Sequence, residues 1–183
     1  MAAGDGLVSM TPSSIAHSGT SASINAYGGV DFTAVTSLSL NGVFTSEIDN
    51  YLIVISGVPV SSAGTVRLRM RASGTSDSGS NYTRQYLQAV NTARNAARST
   101  SQTEATIGSF GDTSLPSGYH VHVYGPYLAQ PTAIRSVNVN NGSGVPNITD
   151  NANTHSLSTS YDGCEILPLT ASTGTVHVFG YEE

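Results

Sequence analysis

Apolar residues in this chain gather into short runs, alternating or nearly continuous, closed by Gly, Pro, Asn or Ser and returning about every ten residues. The best-defined stretch is residues 44–72, FTSEIDNYLIVISGVPVSSAGTVRLRMRA. Residues 51–58 form an apolar run rich in Ile and Val, the pattern of a strand covered on both faces. Val66, Leu68, Met70 and Ala72 then alternate with Arg67, Arg69 and Arg71, giving a second strand one apolar and one basic face. Pro59, Ser61, Ser62 and Gly64 lie between them and predict a turn that sets the two strands side by side.

The same signs predict strands over 30–40, 82–91, 103–110, 119–124, 132–140, 155–161, 164–167 and 175–181, with loops at 74–80 and 141–153. Val30, Phe32 and Ala34 alternate in one phase and Leu38 and Leu40 in another, so a bulge is expected near 35–37. Asn41-Gly42 between two apolar runs signals a hairpin, and 170–174 is expected to turn the last one. Residues 85–98 fit either a short helix or a strand. Tyr82 and Tyr86 favour a strand to about Asn91, followed by an irregular Arg-bearing loop. With no long helix, the expected fold is all-β, a β-sandwich or jelly-roll-like body over 26–183. Residues 1–25 are small and polar with little to bury. They read as an extended N-terminal arm that docks on a neighbour, a frayed tail being the alternative.

Composition sharpens this picture. At 183 residues the chain is one domain. Only 10% of it is charged and 38% hydrophobic, with 19 glycines, so hydroxyls and amides make up the balance. Such a chain suits tight turns and intersubunit faces, where a formal charge costs desolvation. All seven basic residues are Arg, and the net charge of −5 argues against nucleic acid as a partner. No run is long enough to insert in a membrane, and MAAGDGLVSM lacks the basic and apolar regions of a signal peptide. A lone Cys164 leaves no intrachain disulfide.

Tests for chemistry return little. His120 and His122 share one strand face, but no Glu follows at the spacing a cupin-type metal site needs. His155 and His177 are remote in sequence, and no metal or cofactor is expected. There is no G-x-S-x-G elbow, and Cys164 sits in an apolar stretch that suits an inert thiol. No catalytic residue is therefore assigned, and the chain is not expected to be an enzyme. The candidate subunit contacts are Arg67, Arg69 and Arg71, as a solvated face or as a ladder bridged to a neighbour's carboxylates, with Phe179 and Tyr181. The last two lie on the face opposite Val176 and Val178. Tyr119, Tyr124, Tyr127, Tyr161 and Tyr181 are candidates for sugar stacking or subunit contact, against core packing with the hydroxyl at its edge.

Three phrases taken together, VTSLSLNGVFTSEIDNYLIVISGV, TVRLRMRASGTSDSGSNY and YDGCEILPLTASTGTVHVFGYEE, resemble small virion structural proteins of tailed bacteriophages. The similarity is to cyanophage-like tail-fibre, head-fibre and decoration components. It implies a jelly-roll-like module, commonly a homotrimer, displayed on the virion after synthesis in the host cytoplasm. The arm would then bind other virion proteins. The alternative function is a carbohydrate-binding module that takes a host-surface glycan through loop Tyr and Asn residues.

Overall fold

The computed structural model describes residues 6–142 and 144–182. Among them are fourteen strands and no helix. In chain order these are β1 (Leu7–Ser9), β2 (Ser14–Ile24), β3 (Val30–Asn41), β4 (Asn50–Pro59), β5 (Gly64–Ala72), β6 (Thr75–Ser76) and β7 (Tyr82–Val90). There follow β8 (Ala93–Gln102), β9 (Ala105–Phe110), β10 (Ser117–Tyr124), β11 (Thr132–Gly142), β12 (Val145–His155), β13 (Gly163–Pro168) and β14 (Ser172–Tyr181).

Every pairing is antiparallel, and one continuous ladder runs β6-β5-β13-β3-β14-β4-β10-β11-β12-β7-β8. β2 adds to β3, β9 to β5 and β1 to β14. The ladder curls so that a small sheet (β2, β3, β13, β5, β9) covers a large one (β14, β4, β10, β11, β12, β7, β8). The fold is thus all-β and sandwich-like. Between the layers lie Val66, Leu68 and Met70 of β5, Ile53 and Ile55 of β4, Val121 and Val123 of β10, and Val176 and Val178 of β14. Alternation along each strand produces this directly, since every second side chain points the same way.

The two sheets join at β3 and β14, where the registers slip. Ala34 has φ 49°, and the pairing shifts at Ser18/Gly19 of β2 and Ser172/Gly174 of β14. This is the bulge expected from the phase change after Ala34. Gly174 is required here, because a Cβ on it would run into the Ser56 carbonyl and Gly57.

Three expected hairpins are not formed, for one topological reason. β3 and β4 do not pair across Asn41-Gly42, because β14 lies between them. β4 and β5 fall in different layers, so 59–64 crosses between sheets, and the same holds for β13 and β14. The 141–153 loop is corrected to β12, whose exposed and buried residues alternate; what precedes it is a tight turn through Gly144 (φ 81°). The expected strand over 155–161 is irregular beyond His155. Residues 82–90 are a strand, and the expected irregular loop after them is β8, turned from β7 at Asn91 (φ 54°).

The arm is corrected as well. β2 pairs with β3 from Ser14 to Ile24, and Ile15 and Ala22 pack on the core. β1 pairs with β14. Strands β1 and β2 are therefore parts of the sheet, which the sequence disguised: in β2 only Ile15 and Ala22 reach the core among Ser, Thr and Gly. Residues 1–5 of the expected arm lie outside the described residues.

Candidate binding surfaces

The outer face of the large sheet changes character along its width. At one end β14 and β10 set out aromatic rings. Tyr181 stacks on His122 and His122 on Tyr124, with ring centroids 6.1 and 6.2 Å apart, and the Tyr181 hydroxyl lies 3.0 Å from His122 Nδ1. His177 and Phe179 stack at 6.1 Å beside them. Burial, followed by the nearby His120 and Arg135, draws the His122 pKa below its ordinary value.

At the other end the face is apolar and open. Val137 (37% exposed) and Val139 (51%) on β11, Ile148 (53%) on β12 and Leu87 (63%) on β7 point outward. The register places them side by side: Val139 is opposite Ile148, Ile148 opposite Ala89, and Val137 opposite Asp150, which faces Leu87. One hollow of about 340 Å³ is lined by Leu87, Ala89, Arg94 and Ile148, and a second of about 300 Å³ by Val54, His120, Val137 and Val139. Scattered exposed apolar residues need no explanation, but a contiguous patch does.

The inner side of these same strands is polar. Ser136, Asn138 and Asn140 of β11 and Thr149, Asn151 and Asn153 of β12 are all buried. The reason is β9, which pairs with β5 alone and lays its other edge over them. Asn138 and Asn140 each donate from Nδ2 to the Ser109 carbonyl (3.2 and 2.9 Å), and Asn153 donates to the Thr106 carbonyl (3.1 Å). Side-chain amides thus replace the strand that would otherwise satisfy β9. Gly108 (φ 149°) permits the close approach, since a Cβ there would strike Asn138 and the Tyr119 ring.

Beside β9, strand β7 borders a polar cleft of about 180 Å³. Its lining includes Arg84, Tyr86 and Gln88 of β7, Thr149 of β12, and Thr106 and Ser109 of β9. Arg84 lies over the Tyr86 ring, 4.2 Å from its centroid, a contact worth about 0.5–2 kcal/mol. Its Nε and Nη2 donate to Asn151 Oδ1 at 2.9 and 2.7 Å.

The expected contact residues divide between opposite sides of the sandwich. Phe179 and Tyr181 are on the outer face of the large sheet, at its aromatic end. Arg67 and Arg69 are on the outer side of the small sheet, where both bind Glu104 (2.7 and 2.9 Å) and Arg69 approaches Glu165 at 3.9 Å. The carboxylates beside this ladder therefore come from its own chain. Arg71 is buried and donates to Asn41 Oδ1, Ser76 Oγ and the Gly74 carbonyl. Of the tyrosines, Tyr119 and Tyr161 are core residues, whereas Tyr124 and Tyr127 are exposed.

Asp77, His155 and Cys164 build structure. His155 is buried, with Nε2 2.5 Å from Asp77 Oδ2. Burial raises the Asp77 pKa, but hydrogen bonds from His155, the Gly79 N–H and Asn81 outweigh it and leave the group below its ordinary value. The pair pins the 77–81 loop. Cys164 is fully buried, and its pKa is pushed up to about 12. Among the described residues no cluster of His, Cys, Asp and Glu is arranged to hold a metal.

No family model matches the sequence, and no curated protein matches it. Several solved structures resemble the chain distantly, and two of them illustrate the likeness. One is domain 4 of AbnA, a GH43 extracellular arabinanase from Geobacillus stearothermophilus, in complex with arabinotriose. It has a TM-score of 0.37 and 10% identity over 92% of this chain and 82% of that one. The other is the CBM2 module of the evolved Dit of Lactobacillus casei BL23 phage J-1. It has a TM-score of 0.29 and 11% identity over 94% of this chain and 93% of that one. At these scores neither likeness carries weight for what this chain binds.

Proposed function

We propose that this protein is a non-enzymatic virion structural component of a tailed phage, fibre- or tail-associated or on the capsid surface, that assembles as a homotrimer. The phage assignment rests on the three sequence phrases quoted above. The assembly assignment rests on one observation: strands β11, β12 and β7 turn Val137, Val139, Ile148 and Leu87 outward while burying asparagine, serine and threonine. A second copy of the chain covers that face. The opposite side of the sandwich, with its Arg67–Glu104–Arg69 cluster, is already satisfied within the chain and stays in water. Attachment to other virion proteins falls to the N-terminal segment, whose described part presents an edge of β2 that is unpaired among the described residues and carries no Asp, Glu, Lys or Arg.

Light scattering of the purified chain tests this. A mass near three times 18.9 kDa is expected, falling to the monomer in Leu87→Ser/Ile148→Ser. A monomer at every concentration would remove the reading.

A further inference from the structure

The cleft between β7 and β9 holds a guanidinium whose donors the fold uses only in part. Arg67 and Arg69 have Glu104, Arg135 has Asp150, and Arg71 is held by Asn41, Ser76 and Gly74. Arg84 has no carboxylate within ion-pair distance among the described residues, although it is half-buried. Of the five guanidinium N–H groups, the one on Nε and one on Nη2 point at Asn151 Oδ1. Those on Nη1 and the second on Nη2 have no partner among the described residues. Burial draws this group's pKa below its ordinary value, with Tyr86 offsetting part of the effect, as expected of a cation short of counter-charge.

The rest of the cleft is hydroxyl and amide: Gln88, Thr106, Ser109 and Thr149, with no acidic residue in its lining. These groups both donate and accept, which suits a ligand carrying several hydroxyls. The volume of about 180 Å³ accommodates one small ring rather than a protein segment. The Tyr86 ring and Asn151 hold the guanidinium plane in place before any ligand arrives, the condition for two parallel bonds to a carboxylate.

We propose that this cleft binds a single acidic sugar unit of the hexuronic type, its carboxylate on Arg84 and its ring hydroxyls on Gln88, Thr106, Ser109 and Thr149. The site lies on the inner side of β7, away from the outer apolar face, so it stands whether or not that face makes a trimer.

The test is an amide-shift titration of the full chain with sodium glucuronate and galacturonate, alongside glucose, galactose, acetate and a glutamate-containing peptide. At least one uronate should give saturable shifts centred on Gln88 and Thr149, roughly tenfold or more tighter than its neutral counterpart. Arg84→Gln should abolish that difference, and Arg84→Lys, which keeps the charge but loses the fork, should fall between. If Arg84→Gln does not fold, Gln88→Ala and Thr106→Val carry the test, each weakening uronate binding several-fold. Absence of saturable shifts with both uronates, or equal affinity for uronate and neutral sugar, would overturn the proposal. Acetate binding as tightly as uronate would reduce the site to a bare anion site, and tighter binding of the peptide would make it a protein contact. Either result rejects the sugar.

Discussion

Between β4–β10 and β11–β12 the inner face of the large sheet turns from apolar to polar, while the outer face gains exposed Val and Ile. On β4 and β10 the inward positions are Tyr51, Ile53, Ile55, Tyr119, Val121 and Val123, and the outward ones are mixed, Leu52, Val54 and Ser56 beside His120, His122 and Tyr124. One strand further on, the inward positions are Ser136, Asn138 and Asn140 and the outward ones Val137 and Val139. Strand geometry does not cause the difference, because the register is unbroken across β4, β10, β11 and β12. What lies on top does. The first half is covered by apolar side chains and asks for apolar partners. The second half is covered by the bare edge of β9 and asks for amide donors. The outward Val and Ile of that half are not accounted for by packing within the chain, and the proposed subunit contact rests on them.

The sharpest way to break the comparison is to put a charge into the apolar half. Val178 of β14 is buried beside Ile53, its register partner. Val178→Asp leaves a carboxylate with no partner in the core, a cost of several kcal/mol against a total stability of about 5–15. We expect no cooperative thermal melt for this variant. A soluble, folded protein with wild-type mass would mean that the interior of this half is not dry.

The polar half should give way more gently. Asn140→Ala removes bonds of 2.9 and 2.8 Å to the Ser109 carbonyl and hydroxyl, and Asn138 remains to serve the carbonyl. A loss of about 1–3 kcal/mol in urea unfolding is expected, with the fold retained. Leaving stability unchanged would show that β9 does not depend on these amides.

The change of polarity was visible in the sequence only as alternation. Val137 and Val139 mark a strand whichever way they point, and the pattern alone puts them inside. Seeing that Asn138 and Asn140 are the buried set requires knowing that β9 arrives some thirty residues earlier in the chain with an unpaired edge. The all-β class, the Val66–Leu68–Met70 face and the bulge after Ala34 were legible because each rests on local period-two patterning. The neighbours of each strand were not, because β14 enters between β3 and β4 from the far end of the chain. Nor was β2, which stays in the sheet through backbone bonds rather than apolar side chains. The cleft was hidden for the same reason: Arg84, Tyr86 and Gln88 read as one more strand face until β9 is placed opposite.

Acid sharpens the contrast between the two outer faces. Burial raises the Glu104 pKa, but Thr103, Arg69 and Arg67 outweigh it and hold the carboxyl below its ordinary value. A carboxylate depressed on folding stabilises fully above its unfolded pKa of about 4.3 and loses that contribution as the pH falls through the folded value. Melts recorded downward from pH 5 should therefore show a decline that Glu104→Gln partly removes. On the outer apolar face the ion pair seen among the described residues is Arg135–Asp150, which is exposed on both sides and should add little. An identical acid profile in Glu104→Gln would show the cluster to be a solvated face without energetic weight.

The smallest expected change in stability comes with a complete change in association. Val139→Thr/Ile148→Thr keeps β-branched residues on β11 and β12 and alters side chains that are already half exposed, so the unfolding free energy should move by about 0.5 kcal/mol or less. The same pair loses its methyl groups from the centre of the proposed contact, and truncation at the centre of an interface weakens association far more than truncation at its rim. Phe179→Ala is the counterpart at the aromatic end. Phe179 is half-buried, stacks on His177 and lies opposite Ser9 of β1, so part of its surface is already covered by its own chain. Removing that ring should lower monomer stability by about 1–3 kcal/mol and shift the light-scattering mass less than the Thr pair does. The reverse ranking, a monomer from Phe179→Ala and an intact assembly from the Thr pair, would move the contact to the aromatic end. It would also leave the apolar outer face of β11 and β12 without a partner.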